Sequence, residues 1–509
     1  MATKERSTWG SNATFILAAV GSAVGLGNAW RFPGLAAKHG RGAFLLVYLI
    51  AMLVMGIPLL MMEISMGRKM RAGAPGALRG MNKKFEPIGW AATTNAFVIV
   101  TYYAVVFAWV IMMAVFSFKF VNMTGNSEAA SGLWANLIKT TGTIKGFGTF
   151  SVPVILCLVA AWALIYYCIR NGTKSVDKII KYLIFLPVIC LVIMAVKGVT
   201  MPGALGGLSH FFIPDFSALK SPMLWVDAIG QVFYSMSVMM AIMIAYGSFL
   251  DDSSNIARDG LIIAFSDLAV SLLAGIVMFT TMYGTGLQDG LTKTGVGLAF
   301  IIYPTAIVNL SGSGVINAIF SFIFYFCLCT LAIDSAFSLV EGISTAFSDK
   351  FGTNKKKTTV TICAVAGVSS IIYASGAGLA VLDIVDNWCN SFTLILIGVI
   401  ETVAVGWLFN TEKIVKEINR NATSFKISKL WFDAAVKFIA PVILTFLFVW
   451  NIVDLFLNKG GIYGLADGYN LTSNIIAGWS VFILCMLSGF IIPLFKSKNK
   501  DKNEKNWED

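Results

Sequence analysis

Twelve stretches of about twenty or more predominantly apolar residues follow one another along the chain, at 12–37, 42–68, 88–121, 149–169, 177–198, 223–250, 258–284, 313–347, 358–378, 381–408, 431–457 and 473–495. A helix of about 20 residues crosses the roughly 30 Å hydrocarbon core of a bilayer. So many such runs have one common solvent, and it is lipid. Charged residues make up only 13% of the chain and apolar ones 57%, whereas a soluble domain carries about 25% charged residues. No window outside the termini is long and polar enough for a soluble domain, so the expectation is one all-α integral membrane domain. An even number of spans puts both termini on the same side.

The formal charge is +11, but the Lys and Arg residues fall in short runs between apolar stretches, which points to membrane orientation and away from nucleic acid. Arg68, Lys69, Arg71, Arg79, Lys83 and Lys84 follow the second span; Arg170, Lys174 and Lys178 follow the fourth; Lys350, Lys355, Lys356 and Lys357 follow the eighth. Lys413, Lys416, Arg420, Lys426 and Lys429 follow the tenth, and KSKNKDKNEK follows the twelfth. All these connections share a face, and the positive-inside rule makes that face, with both termini, cytoplasmic. The connections at 122–148, 199–222 and 285–312 lie opposite. Eight Cys include no CxxC pair, so neither a metal site nor a disulfide framework is expected. The N-terminal MATKERSTWGSN has the charge of a signal peptide without a cleavage site, and the segment is retained as the first span.

Two spans carry breakers or polar clusters near mid-membrane: GSAVGLGN at 21–28 and GQVFYSMS at 230–237. Backbone leaves the helix in lipid only where it lines a protein cavity; Gly and Ser could instead serve close helix packing. Five spans separate the two clusters, and an odd offset means opposite orientation, the sign of an inverted repeat. Ionisable residues inside spans cost several kcal/mol each and are functional candidates: Arg31, Glu63, Asp227, Asp267, Asp334, Glu341, Asp386 and Glu401. A hard cation such as sodium needs a cage of oxygens, which unwound carbonyls and Ser, Asn and Asp side chains supply. A half-helix N-terminus attracts an anionic group such as a carboxylate. No Walker A, GxSxG or HExxH occurs, and His39 and His210 read as lone loop residues, so no enzyme is expected.

The segment WGSNATFILAAVGSAVGLGNAWRFPGLAAKHGRGAFLLVYLI, followed in order by GIPLLMMEISMGR, TYYAVVFAW, GQVFYSMS, IDSAFSLVEG and LDIVDNW, resembles the neurotransmitter:sodium symporter family over spans one to ten. The resemblance implies an all-α membrane protein of twelve transmembrane helices with a LeuT-type 5+5 inverted repeat, broken helices 1 and 6, and two extra C-terminal helices. The domains expected are a cytoplasmic N-terminal segment with the inner gate at 1–11, a first repeat at 12–198, a second at 223–408, helices 11 and 12 at 431–495 and a cytoplasmic tail at 496–509. The function implied is sodium-coupled symport of a neutral, hydrophobic or small amino acid by alternating access, in a bacterial inner membrane. One or two sodium ions and the bilayer are the other partners, and the oligomeric state stays open.

Carried over residue by residue, the first sodium site comprises the Ala23 carbonyl, Asn28, Ser235 and Asp267, completed by the substrate carboxylate. The second comprises the Gly21, Val24 and Leu331 carbonyls with Asp334 and Ser335. The carboxylate would meet the Leu26 and Gly27 amides and the Tyr103 hydroxyl; the ammonium would meet the carbonyls of Ala23, Tyr234 and Ser235 and the Ser237 hydroxyl. Ile99, Tyr103, Tyr234, Met240 and Leu339 would wall the side-chain pocket. Arg31 and Asp386 resemble an outer gate pair, Arg6 and Asp349 an inner pair with Trp9 packed beside them, and Glu63 a brace for the sixth span.

Three positions depart from the family pattern. Asp267 stands where many members carry Asn, so its carboxylate could supply the charge that others take from chloride; chloride is expected not to be required, although Ser271 is a residue type found at chloride sites. Met239, in the run SVMMA at 237–241, replaces a Gly and is expected to remove pocket volume or stiffen the break. Phe249 replaces an inner-gate Tyr and implies looser closure. Two other readings keep part of this picture: a proton-coupled permease in which Asp267 or Asp334 titrates, and a non-transporting amino acid sensor.

Overall fold

The computed structural model describes residues 8–293, 295–497 and 506–508. Among these, ten helices are long and apolar enough to cross a membrane: Gly42–Met70, Lys83–Asn122, Val152–Ile169, Thr173–Val199, Ile256–Thr285, Gly314–Phe351, Lys355–Ala374, Gly378–Trp407, Lys429–Asn458 and Leu471–Leu494. The pair Asn12–Ala23 and Gly27–Lys38, bent by 47°, is an eleventh candidate. The stretch expected as the sixth span forms two helices, Pro222–Ser235 and Ile242–Gly247, with residues 236–241 between them outside any helix. The protein is therefore an all-helical multi-pass membrane protein.

The connections read as loops at 122–148, 199–222 and 285–312 are partly helical, with Ser127–Ile138, Ala204–Phe212 and Gly295–Val308 lying in them. These segments are too short to span, which hid them from a search for spans; they form because their apolar sides cover the ends of the bundle. Ala204–Phe212, for instance, lays Gly207 so close to Ile256–Thr285 that a Cβ there would lie 2.5 Å from the Phe279 carbonyl oxygen.

The bundle is built around Lys83–Asn122, whose Trp90, Trp109, Tyr102 and Tyr103 are all buried. Helices in lipid gain little from the hydrophobic effect and associate by close packing of small residues. The second half of the broken sixth segment shows this most clearly. A Cβ on Gly67 would lie 2.0 Å from the Ile244 carbonyl oxygen, and one on Gly247 would lie 2.3 Å from that of Ile64. Backbone therefore rests on backbone where Ile242–Gly247 meets Gly42–Met70, and this contact fixes the level of the break above it.

Candidate functional site

The first break follows Ala23. Val24 turns extended with ψ 92°, and the next helical turn begins at Gly27 with no side chain capping it. The amides at that turn are left to a ligand or to Asn28, whose Oδ1 accepts from Gly25 N at 2.9 Å. Glycine is required at 27, because a Cβ there would lie 2.6 Å from the Tyr234 ring.

The second break lies at residues 236–241, one step later than the polar cluster at 230–237 suggested. Ser237, Met239 and Ala241 all take left-handed backbone, with φ of 53°, 64° and 61°. Each such non-glycine residue costs on the order of 1–2 kcal/mol, so other contacts must hold the segment. Glu63 Oε1 accepts from Met239 N at 2.5 Å, and Ser237 Oγ donates to the Ser22 carbonyl at 2.9 Å. Glu63 thus meets the backbone of the sixth segment from the helix Gly42–Met70.

Between the breaks lies a cavity of about 40 Å³. All ten residues carried over for substrate line it: Ala23, Leu26, Gly27, Ile99, Tyr103, Tyr234, Ser235, Ser237, Met240 and Leu339. Asn28 and Ser335 line it too, together with Ser22, Gly25 and Ile242, which the sequence reading missed. The Tyr103 hydroxyl is buried without a hydrogen-bond partner, and a Cβ on Gly25 would lie 3.7 Å from it. Met239 is not among the lining residues. Its side chain turns outward, so that a Cβ on Gly398 would lie 3.5 Å from its Cγ, and Met240 faces the cavity instead. The expectation that Met239 removes pocket volume is corrected: the left-handed backbone at 239 aims the side chain at the helix Gly378–Trp407.

On one side of the cavity Asp267 gathers donors from three helices. Asn28 Nδ2 donates to its Oδ1 at 2.6 Å, Tyr48 OH to its Oδ2 at 3.0 Å, and Ser235 Oγ to both oxygens at 2.7 and 2.8 Å. Asn28 Nδ2 also reaches Ser271 Oγ at 2.8 Å. Tyr48 was missed in the sequence; a lone hydroxyl in an apolar span was its only signal. On the other side Asp334 is 2% exposed and its Oδ1 has no hydrogen-bond partner. Its Oδ2 sits where a Cβ on Gly21 would come within 2.6 Å, and Ser335 Oγ lies 3.5 Å from the Ser22 carbonyl. Val24 and Leu331, whose carbonyls complete the carried-over set, are both buried. A buried carboxylate oxygen without a donor is a place where a cation can sit, and the residues carried over beside it, Gly21, Val24, Leu331 and Ser335, offer oxygen only, as a hard ion requires.

The outer gate residues are not joined directly. The Arg31 guanidinium lies over the Tyr234 ring, 5.4 Å from its centroid, while Asp386 Oδ1 accepts from Asn390 Nδ2 at 2.8 Å. Among the described residues no ion pair within 4.0 Å joins Arg31 to Asp386. Arg6 lies outside the described residues. Asp349 accepts from Gly73 N at 2.9 Å. Trp9 is buried; its Nε1 donates to the Tyr246 carbonyl and its backbone N to the Phe249 carbonyl, both at 3.1 Å.

The two histidines are not lone. His39 is buried and its Nε2 lies 2.6 Å from Asp227 Oδ2, with Lys38 Nζ 3.6 Å away. His210 Nδ1 lies 3.3 Å from Arg41 Nη1. Their separation in sequence, 188 residues between His39 and Asp227, hid the first pair.

The family profile described as the sodium:neurotransmitter symporter family matches residues 6–123 and 119–498. An uncharacterized sodium-dependent transporter of Methanocaldococcus jannaschii is 31% identical over 98% of this chain and 99% of its own. The sodium- and chloride-dependent creatine transporter 1 of Homo sapiens is 30% identical over 89% of this chain and 78% of its own. The sodium-dependent neutral amino acid transporter B(0)AT3 of Mus musculus is 28% identical over 96% of this chain and 92% of its own. With a profile match along nearly its whole length and two interrupted helices facing each other across a buried cavity, this chain belongs to the sodium:neurotransmitter symporter family.

Proposed function

We propose that this protein carries a small neutral amino acid together with sodium by alternating access. The observation that carries the reading is the cavity between the two breaks, flanked by Asp267 on one side and by the unpartnered Asp334 oxygen on the other. A zwitterion fits its chemistry. The substrate carboxylate meets the uncapped amides of Leu26 and Gly27 and the Tyr103 hydroxyl; the ammonium meets the carbonyls of Ala23, Tyr234 and Ser235 and the Ser237 hydroxyl. Sodium, as co-transported cargo, takes Ala23, Asn28, Ser235 and Asp267 in one position and Gly21, Val24, Leu331, Asp334 and Ser335 in the other. Because the substrate carboxylate completes the first shell, each ligand raises the affinity for its partner.

Size narrows the class. A cavity of about 40 Å³ offers room for roughly three waters, which suits glycine or alanine better than an aromatic amino acid. The Asp267 carboxylate supports transport without chloride, in contrast to the chloride dependence in the creatine transporter's name. We count twelve spans by joining Pro222–Ser235 to Ile242–Gly247, arrange them as two inverted five-helix repeats and a final pair, and place both termini in the cytoplasm.

Counterflow of labelled glycine, alanine, valine and tryptophan in proteoliposomes tests this. The expected result is sodium-driven accumulation of the small amino acids that persists when gluconate replaces chloride. Accumulation driven by a pH gradient without sodium, or sodium-dependent binding with no accumulation at all, would overturn it.

A further inference from the structure

A second cavity, of about 640 Å³, lies away from the site between the helices Lys83–Asn122, Gly314–Phe351 and Lys355–Ala374. That volume falls within the roughly 300–1,000 Å³ of small-molecule sites. Phe97, Phe347, Phe351, Ile362 and Val365 supply its wall, and Asn354 and Lys357 stand at its mouth. Three of the five threonines that line it spend their hydroxyls on their own helices: Thr93, Thr358 and Thr361 donate to the carbonyls of Gly89, Asn354 and Lys357 at 2.7, 3.2 and 3.0 Å. Val365 is 52% exposed and Lys357 is exposed, so the crevice opens sideways on the lipid-facing surface.

Its depth and charge identify an occupant. From Lys357 to Val365 the helix rises about 12 Å at 1.5 Å per residue, close to the roughly 15 Å that one leaflet contributes to the hydrocarbon core. The mouth lies on the face that carries the Lys- and Arg-rich connections. There Lys355 is engaged by Glu341 at 3.0 Å and Lys350 by Glu86 at 2.7 Å, but among the described residues no carboxylate within 4.0 Å pairs with Lys356 or Lys357. An apolar slot about one leaflet deep, with the uncommitted Lys357 ammonium at its entrance and the uncommitted Lys356 next to it in sequence, matches a chain and a headgroup together. We propose that this crevice binds one anionic phospholipid, with an acyl chain along Phe97, Phe347 and Val365 and the headgroup phosphate at Lys356 and Lys357. A neutral lipid would use the wall and not the charge; free phosphate would use the charge and not the wall.

Native mass spectrometry of the full chain tests this, using phosphatidylglycerol, phosphatidylcholine of the same acyl chains, and glycerol phosphate as separate probes. One phosphatidylglycerol should be retained about tenfold more strongly than phosphatidylcholine, and glycerol phosphate should not bind. Lys356→Glu with Lys357→Glu should reduce phosphatidylglycerol to the phosphatidylcholine level, whereas Thr94→Trp, which fills the slot, should lose both lipids. Val365→Trp, made at the exposed rim, serves in place of Thr94→Trp where the latter does not fold, as judged by its melting temperature. Equal retention of the two lipids, retention unchanged by the filled slot, or lysine-dependent binding of glycerol phosphate would each overturn the proposal.

Discussion

Asp334 poses a sharp electrostatic demand beside the cavity. Its carboxylate is buried in mid-bundle, one oxygen has no hydrogen-bond partner, and the other lies so close to Gly21 that a Cβ there would come within 2.6 Å. A buried, unpaired charge costs several kcal/mol, which the sodium ion of the proposed function would offset. Asp334→Asn should therefore change sign with the medium. In choline buffer it should melt at the parent temperature or above, since no charge is left unpaired; in sodium it should lack the parent's gain, about 2.7 kcal/mol at one hundred times the dissociation constant. Thermal unfolding in the two salts measures both arms, and an undiminished sodium-induced rise in the variant would sink the assignment. Tyr48 makes a parallel case on the other side of the cavity. Tyr48→Phe removes one donor to the Asp267 carboxylate, a charged hydrogen bond of about 1.5–3 kcal/mol, and should weaken sodium-dependent alanine binding by ten- to a hundredfold without abolishing it.

At the scale of elements, the segment at 236–241 holds three left-handed non-glycine residues in alternation. Met239→Gly relieves backbone strain at one of them, but because the side chain lies against Gly398 and outside the cavity, the ratio of alanine to valine uptake should stay as it is. A gain of bulky substrates would show that Met239 does limit the pocket. Glu63 holds the same segment through Met239 N; Glu63→Gln keeps an acceptor there, so it should retain more uptake than Glu63→Ala, which leaves the amide unpaired at a cost of about 1–3 kcal/mol. The ten long helices were legible in the sequence because bilayer thickness dictates the length of an apolar run. The ten cavity residues were legible because their motifs occur in a fixed order. The orientation of Met239, the reach of Tyr48 and the His39–Asp227 pair were not, since each depends on how helices distant in sequence are turned toward one another. The helix Ser127–Ile138 was missed for a different reason: its alternation of Ala, Gly and polar residues gives no run long enough to stand out.

For the whole molecule, the two breaks divide four half-helices into two pairs, each tied at its own face. His39 joins Gly27–Lys38 to Pro222–Ser235 through Asp227, and Gln231 Nε2 reinforces it by donating to the Gly27 carbonyl at 3.4 Å. At the opposite face Trp9 joins the start of Asn12–Ala23 to Ile242–Gly247, with its indole edge-on to Tyr246 at 5.2 Å and to Phe249 at 6.2 Å. Phe249 thus closes against Trp9 by ring contact and backbone, with no need of a hydroxyl. Alternating access requires that these two closures trade stability, and a ligand or mutation shifts the balance only by its differential effect on the two states. Trp9→Ala removes one buried hydrogen bond and three aromatic contacts, with Phe15, Tyr246 and Phe249, together about 2 kcal/mol or more, enough to move a two-state population at least about tenfold. The shift should open the cavity toward the N-terminal face. In a background with the eight native cysteines replaced, Ile242→Cys at the cavity edge should then react several-fold faster with an impermeant thiol reagent applied from that face. His39→Ala should slow the same reaction or leave it alone, because it loosens the opposite pair. Equal acceleration by both variants would mean that the closures are not in competition and that the two breaks do not act as a rocking unit.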